Sequence, residues 1–264
     1  DASGCLFLRS REITDGKAQV SGTIRMTLLY VAEDTQGMKS FEYSLPLEEM
    51  IEGRALSSGT DCCLEGRLCS CEVRMLNPRK IFTRVNVELA LIPYVPASLS
   101  VCSGVKEQEA YKIETLCEKK EITVIRAVRE KDFTFADEVM LSGTKEPIRE
   151  LLRSKCVLRT TDCKEIGNKI VLKGIARLDA VYLDEGGNLA SLSGELPFSQ
   201  ILDGLSEEEG ETTVRASLRL TGAEIHVGGE SEPDNYRTVS LRLTISAFAA
   251  VRETRSVCCV TDIY

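Results

Sequence analysis

Apolar and polar residues alternate one for one along much of this chain. In 213–221, Val214, Ala216, Leu218 and Leu220 alternate with Arg215, Ser217, Arg219 and Thr221. In 239–247, Val239, Leu241, Leu243, Ile245 and Ala247 alternate with Ser240, Arg242, Thr244 and Ser246. A period of two is that of a β-strand with one buried and one wet face. The same pattern puts Ala18, Val20, Gly22, Ile24, Met26, Leu28 and Tyr30 on one side of an earlier strand. Gly22 and Gly174 thereby fall on apolar faces, where a missing Cβ admits a close neighbour. Polar turns at Asp34–Gly37 and Glu185–Asn188 join consecutive strands as hairpins. The expected fold is all-β, with antiparallel sheets packed as a sandwich or partly closed barrel.

Helical signal is confined to short pieces. LPLEEMIEG (45–53) and LPFSQILDG (196–204) each carry Pro early and Gly late. Leu47, Met50 and Ile51 in one, and Phe198, Ile201 and Leu202 in the other, match one or two turns of amphipathic helix. KEPIRELLRS (145–154) predicts a third short helix, with Pro147 at its start and Ile148, Leu151 and Leu152 on one face.

Those two Pro-containing segments belong to a repeat. GKAQVSGTIRMTLLYVAEDTQGMKSFEYSLPLEEMI (16–51) aligns with GNKIVLKGIARLDAVYLDEGGNLASLSGELPFSQIL (167–202), pairing Gly22 with Gly174, Tyr30 with Tyr182, and Leu45-Pro46-Leu47 with Leu196-Pro197-Phe198. Further on, 71–91 corresponds to 223–245, each copy holding a Pro-containing turn followed by an alternating strand. Two tandem homologous domains follow, 1–105 and 132–264. The charged stretch 106–131 between them reads as a connector with a short strand. The tail resembles the start of a further connector, Asp262-Ile263-Tyr264 against Glu109-Ala110-Tyr111, as in an excised array.

Composition narrows the function. The net charge of −8 argues against a nucleic-acid footprint, which needs concentrated Lys and Arg. The longest uncharged run, 89–105, is too short and too Pro-interrupted to span a bilayer. Only one histidine, His226, is present, which removes most His-based metal sites and nucleophile–base pairs. It reads as a packing or surface residue. No nucleotide-binding, nucleophile-elbow, zinc-protease or EF-hand motif occurs. The acidic SEEEGE run at 206–211 reads as a solvated turn in preference to a cation or basic-partner site. With aromatics at 5% and no Trp, stacking platforms are scarce.

Eleven cysteines cannot all pair within one chain. Cys62, Cys63, Cys69 and Cys71 contain the elements of a thiolate metal site, but CC and CxC spacing throws the sulfurs to differing sides of an extended chain. They read as reduced, structural thiols, which favours a reducing compartment. No catalytic, cofactor or metal-binding residue is assigned, metal is expected to be dispensable, and the binding residues are left open.

The run G-x6-Y, a turn, then L-P-[LF]-x-x-[MI]-[IL], in two ordered copies, resembles the SPOCS domain of the SpoVID and SipL spore-coat morphogenesis proteins of endospore-forming Firmicutes. Residues 132–162, DFTFADEVMLSGTKEPIRELLRSKCVLRTTD, resemble the segment that opens this domain, and the first copy lacks its counterpart. No LysM module, often carried by such proteins, is present. The resemblance implies no catalytic residues. It implies a non-enzymatic protein-interaction module in spore coat or envelope assembly, with a coat scaffold as partner, in the mother-cell cytoplasm or at the spore surface. Paired β-domains, with their long edges and many loops, are expected to bind through exposed strand edges or inter-strand loops. The competing expectation is a surface-exposed bacterial repeat that binds a host protein such as an immunoglobulin.

Overall fold

Residues 1–31, 37–106, 113–204, 212–229, 232 and 234–264 are described by the structure, a computed structural model. They form eleven strands: β1 (Ala2–Thr14), β2 (Lys17–Val31), β3 (Met38–Glu52), β4 (Asp61–Asn77), β5 (Lys80–Tyr94), β6 (Thr115–Met140), β7 (Ile148–Ile166), β8 (Lys169–Asp184), β9 (Leu189–Asp203), β10 (Thr212–Val227) and β11 (Thr238–Ile263). All strand pairs are antiparallel, in sheets ordered β1-β2-β3, β4-β5, β7-β8-β9 and β10-β11-β6. The chain is all-β.

Alternation selects the buried faces as expected. Ala18, Val20 and Met26 are fully buried on β2, Ile24 nearly so, and Leu28 half-buried, whereas Tyr30 at the strand's end is exposed. On β8, Ile170, Leu172, Ala176, Leu178 and Tyr182 are fully buried and Ala180 nearly so. Each large apolar chain removed from water in this way contributes about 1.5–3 kcal/mol. A Cβ on Gly174 would stand 2.5 Å from Cζ of Phe198 on β9, so the missing side chain is what lets that ring lie against the sheet. At Gly22 the close neighbour is the carbonyl oxygen of Phe7, 2.6 Å from where a Cβ would sit.

The three expected short helices are strands. Residues 45–52 complete β3 and 196–203 complete β9, both edge strands of their sheets. An edge strand tolerates Pro46 and Pro197 because it has one side that needs no ladder donor. Read with period two, Leu45, Leu47 and Ile51 are the half-buried residues, and Phe198 and Leu202 are buried. Met50 and Ile201, which a helix would have turned inward, are 53% and 48% exposed. The apparent helix at 145–154 is, from Ile148 on, the start of β7, where register shifts between Ile148 and Glu150 and between Leu151 and Arg153 break the alternation. Extra residues of this kind make buried Ile148 and Leu152 look like an i, i+4 pair.

Of the two expected hairpin turns, Asp34–Gly37 falls mostly outside the described residues. The other is set by Asp184, whose carboxylate accepts from the Asn188 backbone N–H at 2.7 Å and from Asn188 Nδ2 at 3.2 Å, with Gly187 at φ 80°. The SEEEGE run at 206–211 also lies outside the described residues.

The strand order repeats: β1-β2-β3 with β4-β5 in one copy corresponds to β7-β8-β9 with β10-β11 in the other. β6 is the addition. It includes residues 115–131 of the segment between the copies and pairs with β11 from Met140↔Thr238 to Thr115↔Ile263. In the second copy β7 runs beside β10 and β6 beside β9, so six strands enclose one core that includes Ala127, Val139, Ile170, Leu178, Phe198, Leu243 and Ile245. Phe7 of β1 joins that same core. A smaller cluster of Leu8, Val20 and Leu64, with Leu47, Leu89 and Leu91 against it, serves the first copy.

Candidate interaction surface

β6 closes the second copy by chemistry specific to its side chains. Phe133 and Phe135 both lie against Phe198 of β9, with ring centroids 5.8 and 5.4 Å apart. Val139 sits where a Cβ on Gly194 of β9 would be, 2.7 Å from that position. Lys131 Nζ donates to the Ile201 carbonyl at 2.8 Å. With β10 on one side and β6 on the other, β11 buries Val239, Leu241, Leu243, Ile245 and Ala247 almost completely.

The first copy is open at the corresponding place. By the repeat, Val85, Val87, Leu89 and Leu91 of β5 hold the positions of Val239, Leu241, Leu243 and Ile245, yet all four are only half-buried. β5 pairs with β4 alone among the described residues. A gap therefore separates its outer edge from β3, where Leu45 and Leu47 are half-buried. The gap is bridged at one end by the Tyr43 hydroxyl, hydrogen-bonded to Thr83 at 2.5 Å, and Phe41 stacks on Tyr43 with centroids 5.6 Å apart. Tyr43 is the counterpart of Gly194, so its ring occupies the end that Val139 fills in the second copy.

The two copies are joined by polar contacts of long sequence separation. Glu130 of β6 accepts from Arg11 Nη1 and Nη2 at 3.0 and 2.6 Å, from Arg219 at 3.1 Å and from Ser246 at 3.0 Å. Burial alone would raise its pKa, but the Arg11 guanidinium, with Ser246 and Arg219, holds it below the usual carboxylate range. Arg25 stacks over Phe7 at 5.0 Å and donates to the Ala223 carbonyl at 2.8 Å. Where β1, β4, β7 and β10 meet they leave an open cleft of about 580 Å³, bordered by Leu8, Glu65, Arg67, Lys155, Cys156 and Arg219 among others. Its thiols are poor nucleophiles, since burial pushes Cys156 up to about 12 and Cys5 also upward. The cleft brings together no base positioned on a nucleophile.

No cysteine is in a disulfide. Cys62 and Cys63 point to opposite faces of β4: Cys62 packs with Ala18 and Leu56, Cys63 with Phe248 and Ala250. Cys69 is exposed at a register shift, and Cys71 lies beside Met26 with its sulfur 3.9 Å from Sδ. The four are thus dispersed. Among the described residues no group of three or more His, Cys, Asp and Glu is arranged to hold a metal ion. His226 is exposed on β10, opposite Ser240. No described helix is long and apolar enough to cross a membrane.

The strand β6 is what sequence reasoning missed at this surface. Its signal is weak but present, in the alternation of half-buried Ile122, Val124 and Arg126 with exposed Thr123 and Ile125 inside a charged run.

The fold and surface define a class: a tandem repeat of antiparallel β-domains, one closed by a sixth strand and one open. The chain matches the family described as SipL, SPOCS domain, over residues 1–76 and 147–227, and it belongs to that family. The two matched spans take in β1–β4 and β7–β10, the equivalent strands of the two copies. No curated protein and no solved structure matches the chain. Family membership connects it with sporulation and the spore coat.

Proposed function

We propose that the chain is a non-enzymatic protein-interaction module of spore coat or spore envelope assembly, with 1–105 and 132–264 acting as tandem SPOCS domains joined through 106–131. The observation that carries this reading is the open β5 edge, a row of backbone donors and acceptors beside half-buried apolar side chains. Such edges recruit strands from other proteins. The cleft between the copies supports binding better than turnover, because its thiols are held protonated and the one histidine lies on an exposed strand face elsewhere.

The test is capture by the immobilised chain from sporulating cells and, in parallel, from host fluid, with the retained proteins identified by mass spectrometry. Retention of coat or envelope proteins from sporulating cells is the expected outcome. Selective retention of a host protein, or turnover of a small molecule that survives rigorous purification, would overturn the proposal.

A further inference from the structure

We propose that the β5 edge of the first copy, with the gap it makes against β3, is an acceptor site for one extended strand of the β6 type, supplied by another SPOCS repeat in a neighbouring molecule. This rests on the reading of the chain as an interaction module and names the part of it that binds.

The second copy shows what such a site looks like when filled. There the equivalent edge, that of β11, is paired along its length by β6. The incoming strand sets Val139 opposite Val239, Asp137 opposite Leu241, Phe135 opposite Leu243 and Phe133 opposite Ile245. Carried across by the repeat, the same register places a donor's two aromatic residues opposite Leu89 and Leu91 of β5. The rings would then rest on Leu47, the counterpart of Phe198. The β5 backbone is extended there and has no second strand beside it among the described residues.

Two features fix the occupant's chemistry. The first is apolar: Val85, Val87, Leu89 and Leu91 remain half-buried where their counterparts are almost wholly buried, so the site is short of one layer of inward side chains. The second is charge. Residues 132–140 carry Asp132, Asp137 and Glu138 and no base, while the far end of β5 carries Lys80 and Arg84, with Arg79 in the turn before it. In the transferred register a Glu138-type carboxylate falls opposite Asn86, diagonal to Arg84. Tyr43 already fills the place of Val139 through its bond to Thr83, so the donor needs no apolar residue there. An acidic strand with aromatics two residues apart is the partner that fits.

The experiment uses the whole chain and a synthetic peptide of residues 130–142, EKDFTFADEVMLS, as the probe. Saturable binding is expected, with amide exchange of residues 85–91 slowed at least tenfold. A peptide carrying Phe133→Lys and Phe135→Lys should give no protection. In the protein, Asn86→Pro and Val87→Pro are compared, because adjacent N–H groups point to opposite sides of a strand. Whichever variant keeps the β4–β5 pairing should lose the peptide.

No protection of 85–91 at saturating peptide would overturn the assignment, as would protection confined to 239–247, which reports displacement of β6. Equal binding of the lysine-substituted peptide would do the same. If the chain captures coat proteins while 85–91 stay unprotected by the peptide, the acceptor site is wrong and the module reading stands. If capture also fails, both fall.

Discussion

Tyr94 and Phe248, which hold the same place in the two copies, pack against each other with ring centroids 5.4 Å apart. Around them lie Cys63, Ile92 and Val128, so this cluster draws on β4, β5, β6 and β11 together. Tandem repeats are commonly pictured as beads, each with its own core. Here equivalent residues meet across the boundary between the copies, and Phe7 of the first copy enters the core of the second.

Phe248→Ala should therefore destabilise the chain by about 3–5 kcal/mol, as removal of a buried aromatic does. The loss should reach both halves at once. Calorimetry should record one unfolding transition for the wild type, moved down without splitting in the variant. Two separate transitions in the wild type would show that the shared cluster does not couple the copies.

Glu130 makes acid stability measurable. Its pKa is lowered in the folded state, so it binds a proton less readily there than in the unfolded chain, where carboxylates titrate near about 4.3. Its contribution is then fully present above that value and lost as pH falls through the folded pKa. Glu130→Gln should weaken the acid-side slope of stability. At neutral pH it should cost roughly 1.5–3 kcal/mol, the range for hydrogen bonds to charged groups, because the acceptor shared by Arg11 and Arg219 loses its charge and one of its two oxygens. Urea unfolding at pH 3 to 7 checks both effects, and identical slopes for the two proteins would refute the role.

Inside the second copy, Gly174→Ala should overpack the site of Phe198 and cost roughly 1–3 kcal/mol. Adding Phe198→Leu to it should restore part of the loss. Leu178→Asp, at a fully buried position, should unfold the copy outright. An unchanged melting curve for Leu178→Asp would refute the assigned buried face of β8.

Cys117 and Cys258 lie diagonally across the β6–β11 pair, both exposed, with the Cys258 thiol raised by its hydrogen bond to Cys117. Mild oxidation with diamide should link these two before any other pair. Peptide mapping of the oxidised chain checks it, and a different first crosslink would show that this end of the ribbon is arranged otherwise.

What could be read from the residues alone was the local part. The alternation in β2, β8, β10 and β11, the inward glycine at 174 and the opposed sulfurs of Cys62 and Cys63 are all consequences of a strand's period of two. Pro46 and Pro197 misled because a helix start and an edge strand tolerate the same residue, and β7 misled because its register shifts imitate a period near four. The open edge could not be read at all. Whether Val87 or Leu241 ends up covered depends on whether a third strand arrives, and that strand comes from far away in the chain. Nothing in the pattern of β5 differs enough from that of β11 to announce it.

The pairing of β6 with β11 also sets an order of events during synthesis. Met140 leaves the ribosome about a hundred residues before Thr238, its partner, which is roughly 5–20 s of translation. Through that interval β6 exists without β11, while β5, with an edge of matching pattern, has already been made. The nascent chain thus passes through a stage in which the wrong neighbour is the only one present. Correct folding requires that early pairing be weak enough to be exchanged. The Glu130 carboxylate of β6, which gains Arg219 and Ser246 only once β10 and β11 have been made, supplies a reason for β6 to leave.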